Sequence, residues 1–479
     1  MDPDRSISGP HLARLLGEWR AAGPAYGALA RAIRLLVLDG RLPLRTRLPG
    51  ERDLAGALGV SRTTATAAYA ALREEGFIAS RRGSGSWTRL PADPAAVTEQ
   101  PAPGSDLIDL SCAAASAPER ALHAALATAT AELPRHLPGP GYDAAGLPAL
   151  RAAIADRYTA RGAPTTPDQV FVTAGAQHAW TLLLRMLAGA GDRILTEHPT
   201  YANALDAIRE LGARAVPVPL LPTGWDMDML EVTLRQSAPR LGYVIADNHN
   251  PTGLTLDEAG RERLVALARA HRTPFVVDET MVGLELDGPP APAPVAVHDH
   301  AGEAAITIGS MSKAFWAGLR IGWIRTSPAL VRRLAVARTM VDLSSPVVEQ
   351  LVATELLNDA DAILAGRRDA VRARRDALVA AVRAELPEWR FTVPHGGLVL
   401  WAELDQPRSS ALAAIADRHG VRVAPGPRFG LDGAFERYLR LPYCLPEATL
   451  EDAVSRLAAA WRAVTEGAPT PTLEPALVT

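Results

Sequence analysis

Lysine is almost absent from this chain. Of its 50 Lys+Arg residues, 49 are arginines and only Lys313 is a lysine. Arginine serves wherever a plain positive charge is enough, but its guanidinium stays protonated and cannot attack a carbonyl as a free amine can. The solitary lysine is therefore a candidate Schiff-base nucleophile; the plainer alternative is a surface lysine left over in an arginine-rich chain. Cysteine is nearly as scarce. Cys112 and Cys444 are too few for a disulfide framework or a zinc site, so free thiols and a cytoplasmic location are expected. No uncharged apolar run reaches the roughly 18 residues of a membrane span, and the opening M-D-P-D-R has no apolar signal core. A content of 48% hydrophobic and 22% charged residues is that of an ordinary globular protein.

A net charge of -3 conceals an asymmetry. Residues 1–90 hold 14 arginines against 8 acidic residues, which leaves 36 basic against 45 acidic residues for the rest. A small basic unit joined to a larger acidic one points to a polyanionic partner for the first alone. The Pro- and Ala-rich stretch 90–106 reads as a linker. The division expected is thus a basic domain 1–89, the linker 90–106, a large domain 107–465 and a flexible tail 466–479.

In the basic unit, apolar residues at Leu29, Ile33, Leu36 and Val37 predict a helix over 26–38, ended by Asp39 and Gly40. A second helix is predicted over 51–58. Gly59 then turns the chain, and Ser61 takes the N-cap position of a third helix, 62–75, closed by Gly76. Two helices joined by so short a turn make a helix-turn-helix. Its third helix offers Arg62, Thr63, Thr64 and Thr66 at the end where base edges and phosphates are met. F-I-A-S-R-R-G-S-G-S-W-T then reads as two short strands around a basic turn, a wing bearing Arg81 and Arg82.

The large unit alternates helical patterns with short apolar strands, which predicts a doubly wound α/β domain with a mostly parallel sheet and its function at the strand ends. V-F-V-T-A-G-A-Q-H ends a strand in a small-residue turn, Ala174 to Gln177, where the following helix N-terminus can cradle a phosphate. Tyr201 follows R-I-L-T-E-H and can stack on a planar ring. Asn250 lies in an N-P-T-G turn, and Asp278 closes the buried strand P-F-V-V-D, where a carboxylate calls for a cationic partner. I-T-I-G-S-M-S-K-A-F-W-A-G-L-R carries Ser310, Lys313 and Arg320, the serine and arginine suited to a phosphate. Each residue alone also reads as a turn, cap or rim position. Together they make a phosphate cradle, a stacking ring, a carboxylate for a ring nitrogen, an amide for a phenolic oxygen and a Schiff-base lysine, which describe pyridoxal 5'-phosphate.

Two resemblances add to this. Residues 48–78, with the R-R-G-S-G-S that follows, resemble the winged helix-turn-helix of GntR-type regulators. That implies DNA contacts from Arg52, Ser61, Arg62, Thr64 and the wing tip Gly83, Ser84 and Gly85; Arg45 and Gly50 depart from the usual glycine and small hydroxyl residue. Residues 107–462 resemble the fold type I aminotransferases, with a smaller C-terminal α+β subdomain. The resemblance implies Lys313 as the Schiff-base lysine, Asp278 as partner of the pyridinium nitrogen, Asn250 on the ring hydroxyl and Tyr201 stacked on the ring. It puts Gly175, Ala176, Gln177, Ser310 and Arg320 on the phosphate, Tyr142 in the neighbouring subunit's site and Arg440 on an effector carboxylate. Thr280 and Met281 stand where the family commonly has a tyrosine.

A GntR-like domain followed by an aminotransferase-like one resembles the MocR group. This implies a homodimeric transcription regulator that binds a double-stranded DNA operator and senses the cofactor, or an amine or amino-acid effector, through an aldimine on Lys313. The alternative is an aminotransferase with an accessory DNA-binding domain.

Overall fold

The computed structural model describes residues 5–17, 19–20, 24–38, 41–43, 46–74, 77–81, 85–89, 106–288 and 291–465. Arg45, Gly76, Arg82, Gly83, Ser84, the linker up to residue 105 and the tail 466–479 lie outside the described residues.

In the basic unit the helices Ala25–Leu38, Glu51–Leu58 and Arg62–Glu74 follow the predicted spans. Gly59 supplies the left-handed turn at φ 64°, which a residue without Cβ adopts freely. Ser61 caps the third helix, its Oγ accepting from Thr64 N at 3.1 Å. Ile78–Arg81 and Gly85–Thr88 pair antiparallel as the wing. Thr46–Arg47 and Arg5–Ser6 extend the wing to four strands, and a helix Gly9–Leu16 precedes the predicted three. An eight-residue helix is too short to stand on propensity. Packing holds it: Leu12 and Leu16 enter one core with Leu29, Ile33, Leu54, Tyr69 and Ile78.

The large unit is built on an eight-stranded sheet in the order Val170–Thr173, Gly322–Arg325, Ala305–Ser310, Phe275–Asp278, Leu241–Val244, Arg193–His198, Arg214–Leu221, Gly224–Trp225. Gly322–Arg325 runs against both its neighbours and Gly224–Trp225 against its one; the other pairings are parallel. Alternate residues enter opposite cores. Ile194, Tyr243, Val276 and Ile308 face the helices Ala176–Leu187 and Pro328–Arg338, while Leu195, Val244 and Val277 face Glu258–His271. Helices on both faces explain why the central strands read as continuous apolar runs.

A second sheet runs Val399–Glu403, Tyr438–Pro442, Val421–Pro425, Ile108–Leu110. The smaller subdomain is therefore not purely C-terminal, because its edge strand comes from the start of the unit and pairs parallel with Val421 to Val423. The long helix Ala360–Glu385 spans both subdomains: Val371, Leu378 and Val382 enter the core under the second sheet, and Leu364 the core beside the first.

Gly322 is a joint where backbone closes in from both neighbouring strands' sides. A Cβ there would lie 2.7 Å from Gly175 Cα and 2.8 Å from Gly309 O, and backbone on both sides cannot swing away. Gly322→Ala is expected to lower stability by about 1–3 kcal/mol in chemical denaturation. In the same unit Gly366→Ala, on an exposed helix face where a Cβ meets nothing, is expected to raise it by about 0.5–1 kcal/mol.

Candidate functional site

Sheet register brings the candidate residues to one edge. Asp278 lies opposite Ile308, Ser310 opposite Gly322, and Gly322 opposite Thr173. Beyond Thr173 the chain reverses at Gly175, φ 93°, into the helix beginning at Ala176. The first amides of a helix have no acceptor within it and carry its positive end, so this turn is built for an anion. Arg320 completes it, laying Nη2 on Ala174 O at 2.7 Å. The φ of Gly175 is one that a residue with a Cβ rarely adopts, which is why glycine stands there, and a Cβ would also meet that nitrogen at 2.9 Å.

His178 braces the same turn, its Nδ1 accepting from Ala174 N at 3.0 Å. Burial lowers its pKa against the opposing pull of Asp342, which favours the neutral ring that can accept. Sequence reasoning passed over His178, since a helical pattern does not distinguish a brace from an outward imidazole. Ser310 Oγ donates to Ser312 Oγ at 2.9 Å and accepts from Ser312 N at 3.1 Å, so the buried Ser312 joins the cluster beside it.

Lys313 sits in a π-helical turn, Ser312–Trp316. Burial lowers its pKa; Arg440 adds to this, while Cys112, Cys444 and Asp278 oppose it. The amine is thus held nearer its nucleophilic form. Asp278 is also buried, and burial raises its pKa against hydrogen bonds from Thr280 and Tyr243 and the charge of Lys313. Two neutral donors of the chain support this carboxylate: Tyr243 OH gives to Oδ2 at 2.6 Å and Thr280 N to Oδ1 at 2.8 Å. A carboxylate has about four acceptor positions, so room remains for a further N–H. Tyr243 was not foreseen. It lies opposite Val276, and its ring runs along the sheet face that Asp278 shares.

Tyr201 caps the helix Ala202–Glu210, and its hydroxyl accepts from Asn203 Nδ2 at 2.9 Å. Its pKa is pushed up to about 12 by burial, with the charge of Asp278 adding. Asn250, in a turn with a cis Asn250–Pro251 bond, is buried and accepts from Arg440 Nη1 at 3.5 Å. Arg440 is fully buried, donates Nη2 to Ser111 O, and lies 5.0 Å from the centre of the Phe429 ring. Its pKa is pulled down to about 10 by burial, and its Nε has no hydrogen-bond partner. A buried guanidinium with an unused donor fits a carboxylate ligand.

The position of the missing family tyrosine is occupied by packing. Met281 is buried in the core with Leu284 and Leu286. Tyr142 is not brought to this edge. It is 69% exposed, as Leu137, Met340, Val341, Leu343 and Val348 also are exposed, and Gly141 beside it is set against Val347.

On the basic unit Arg52, Ser61, Arg62 and Thr63 are exposed and Thr64 is half-buried. Ser61 Oγ lies 2.7 Å from both threonine hydroxyls, which holds the start of the third helix together. Of the wing calls, Gly85 is described and lies against Arg47, a basic residue the sequence reading did not single out. Arg81 ends a strand, and Arg82, Gly83 and Ser84 are outside the described residues.

Residues 118–457 match the family model of class I and II aminotransferases, and residues 25–87 that of bacterial regulatory proteins of the gntR family. The HTH-type transcriptional regulator YisV of Bacillus subtilis is 26% identical over 465 residues, covering 89% of this chain and 94% of that protein. The probable rhizopine catabolism regulatory protein MocR of Rhizobium meliloti is 32% identical over 340 residues, 64% of this chain and 66% of that protein. Among solved structures, the α-aminoadipate aminotransferase LysN of Thermus thermophilus, complexed with N-(5'-phosphopyridoxyl)-L-leucine, superimposes with a TM-score of 0.70 at 26% identity, over 77% of this chain and 96% of that one.

The lowered pKa of Lys313 has a stability consequence. The unfolded chain binds this proton more tightly than the folded one, so stability rises with pH from the lowered value up to about 10.4, the unfolded lysine pKa. Lys313→Met is expected to raise the urea midpoint of the cofactor-free protein at pH 7. The gain should shrink as the pH approaches that upper limit.

Proposed function

The chain belongs to the class I and II aminotransferase family and carries a GntR-family regulatory domain ahead of it, and we propose that it is a DNA-binding regulator of the MocR kind that uses Lys313 as the anchor of a sensor site. The observation that carries this is the match to a transcriptional regulator running through both units. Pyridoxal 5'-phosphate, when bound, supplies a carbonyl carbon that can be passed from one amine to another and a pyridine ring that withdraws electrons. The residues fit such a group. Gly175, Ala176, Gln177 and Arg320 would hold the phosphate, with Ser310 and Ser312 alongside. Asp278, its remaining lone pairs unfilled by Tyr243 and Thr280, would accept the ring N–H. Asn250 would meet the ring oxygen and Tyr201 would cover the ring. Lys313, its pKa lowered by burial, would supply the amine for the covalent link.

Arg440 reads the effector. Its donors now rest on Ser111 O and Asn250 Oδ1, and a carboxylate of an amino-acid effector displaces weaker neutral acceptors with a charged one. The effector must bind two arrangements of the chain unequally for this to reach the DNA. The exposed surface around Tyr142 and Met340 is the face for a second copy, which makes the regulator a homodimer. Arg52, Arg62 and the hydroxyls of Ser61, Thr63 and Thr64 meet duplex DNA in the cytoplasm. Met281 in place of a tyrosine leaves the ring oxygen with Asn250, an arrangement better suited to holding a ligand than to rapid turnover.

Arg62→Ala is expected to weaken operator binding by about 1–3 kcal/mol in a mobility-shift titration while leaving the visible absorption of the bound cofactor unchanged. Lys313→Ala should abolish that absorption. Steady transamination of an amino acid with a keto acid, lost in Lys313→Ala, together with an absence of sequence-specific DNA binding, would overturn the regulator in favour of an enzyme.

A further inference from the structure

The turn that carries Lys313 ends abruptly. Its π-helical residues stop at Trp316 and a tighter turn, Ala317–Leu319, follows, so the carbonyls at its end need donors from outside. Arg367, on the long helix Ala360–Glu385, supplies them: Nε donates to Ala314 O at 3.2 Å and Nη2 to Phe315 O. Its third arm turns elsewhere, Nη1 donating to Ser116 O at 2.6 Å. One half-buried guanidinium thus spans two chain segments more than 190 residues apart in sequence.

The second segment matters because of where it lies. Residues 111–116 follow the edge strand Ile108–Leu110, the first strand of the large unit among the described residues. The segment forms no helix or strand of its own. At its near end Ser111 O accepts from Arg440, and at its far end Ser116 O accepts from Arg367. It is therefore hung between the arginine that faces the effector and the arginine that clasps the lysine turn.

We propose that Arg367 is a positioning residue that couples the Lys313 turn to segment 111–116, so that occupancy of the site is felt where the chain enters from the DNA-binding unit. A planar guanidinium can serve three carbonyls in two directions at once; an ammonium, with its donors on one atom, cannot span them, and a thioether offers none. The inference rests on Lys313 being the cofactor lysine.

The test is hydrogen exchange read by mass spectrometry on the full-length chain, with and without added pyridoxal 5'-phosphate, beside the visible spectrum. In the unmodified protein the cofactor should give its visible band and slow exchange in both 310–320 and 111–117. Arg367→Met should keep the band and the slowing at 310–320 and lose the slowing at 111–117, and Arg367→Lys should lose most of it. If Arg367→Met does not fold, the lysine variant carries the comparison. Slowing at 111–117 that persists undiminished in either folded variant overturns the coupling, as does a band in the unmodified protein without any response at 111–117. No band in the unmodified protein overturns the assignment of Lys313, and the coupling with it.

Discussion

The sheet edge depends on holding an amine, a carboxylate and a guanidinium close together without letting them collapse into ion pairs. Lys313, Asp278 and Arg440 each influence another's ionisation, yet the carboxylate and the guanidinium rest on neutral groups: Asp278 on a tyrosine hydroxyl and a backbone amide, Arg440 on a backbone carbonyl, an asparagine oxygen and an aromatic face. Burying ionisable groups in this way costs stability, because water's solvation is lost and no direct partner replaces it. What it provides is a set of groups whose strongest partners are still to come. A flat, charged ligand with a carbonyl, a ring nitrogen and a phosphate can engage all of them at once.

The part of this edge where the ligand's phosphate would sit and the part where the effector would sit are built differently. The phosphate turn is fixed by contacts that leave no slack: Arg320 against Gly175, Gly175 against Gly322, and Gly322 against Gly309. Arg440, by contrast, belongs to the smaller sheet and reaches across to Asn250 of the larger one and to the segment leading in from the basic unit. A ligand that takes hold of Arg440 acts on the joint between subdomains. The same sheet chemistry in a pure catalyst would close over substrate; joined to a DNA-binding unit, it can report.

Much of this was legible in the chain itself. The helix-turn-helix spans followed from apolar spacing, Gly59 and Ser61, because local capping and turn chemistry set them. Lys313 was marked by composition alone, and the positions of Gly175, Tyr201, Asn250, Asp278 and Arg320 past strand ends followed from the alternation of strand and helix. Other features were hidden, for identifiable reasons. Tyr243 and His178 looked like any buried tyrosine or helical histidine until the sheet register and the helix phase aimed them. Helix Gly9–Leu16 went unpredicted although Ser8 caps it, Pro10 lies in its first turn and Gly17 closes it; at eight residues it depends on the core it enters. Ile108–Leu110 could not be assigned to the second sheet, since its partner lies some three hundred residues away.

The amino-acid sequence by itself determined the two kinds of unit, their order, the small-residue turn at Ala174 to Gln177 and the one side chain able to serve as the amine, because these rest on residue chemistry and on periodicities a few residues long. Only the tertiary structure decided which neutral groups stand beside the charges. It was long-range packing that placed Tyr243 on Asp278, buried Met281 in the core under the second sheet, and set Arg367 between the lysine turn and the entering segment. Those contacts join residues tens to hundreds of positions apart, and no local pattern encodes a distance of that kind.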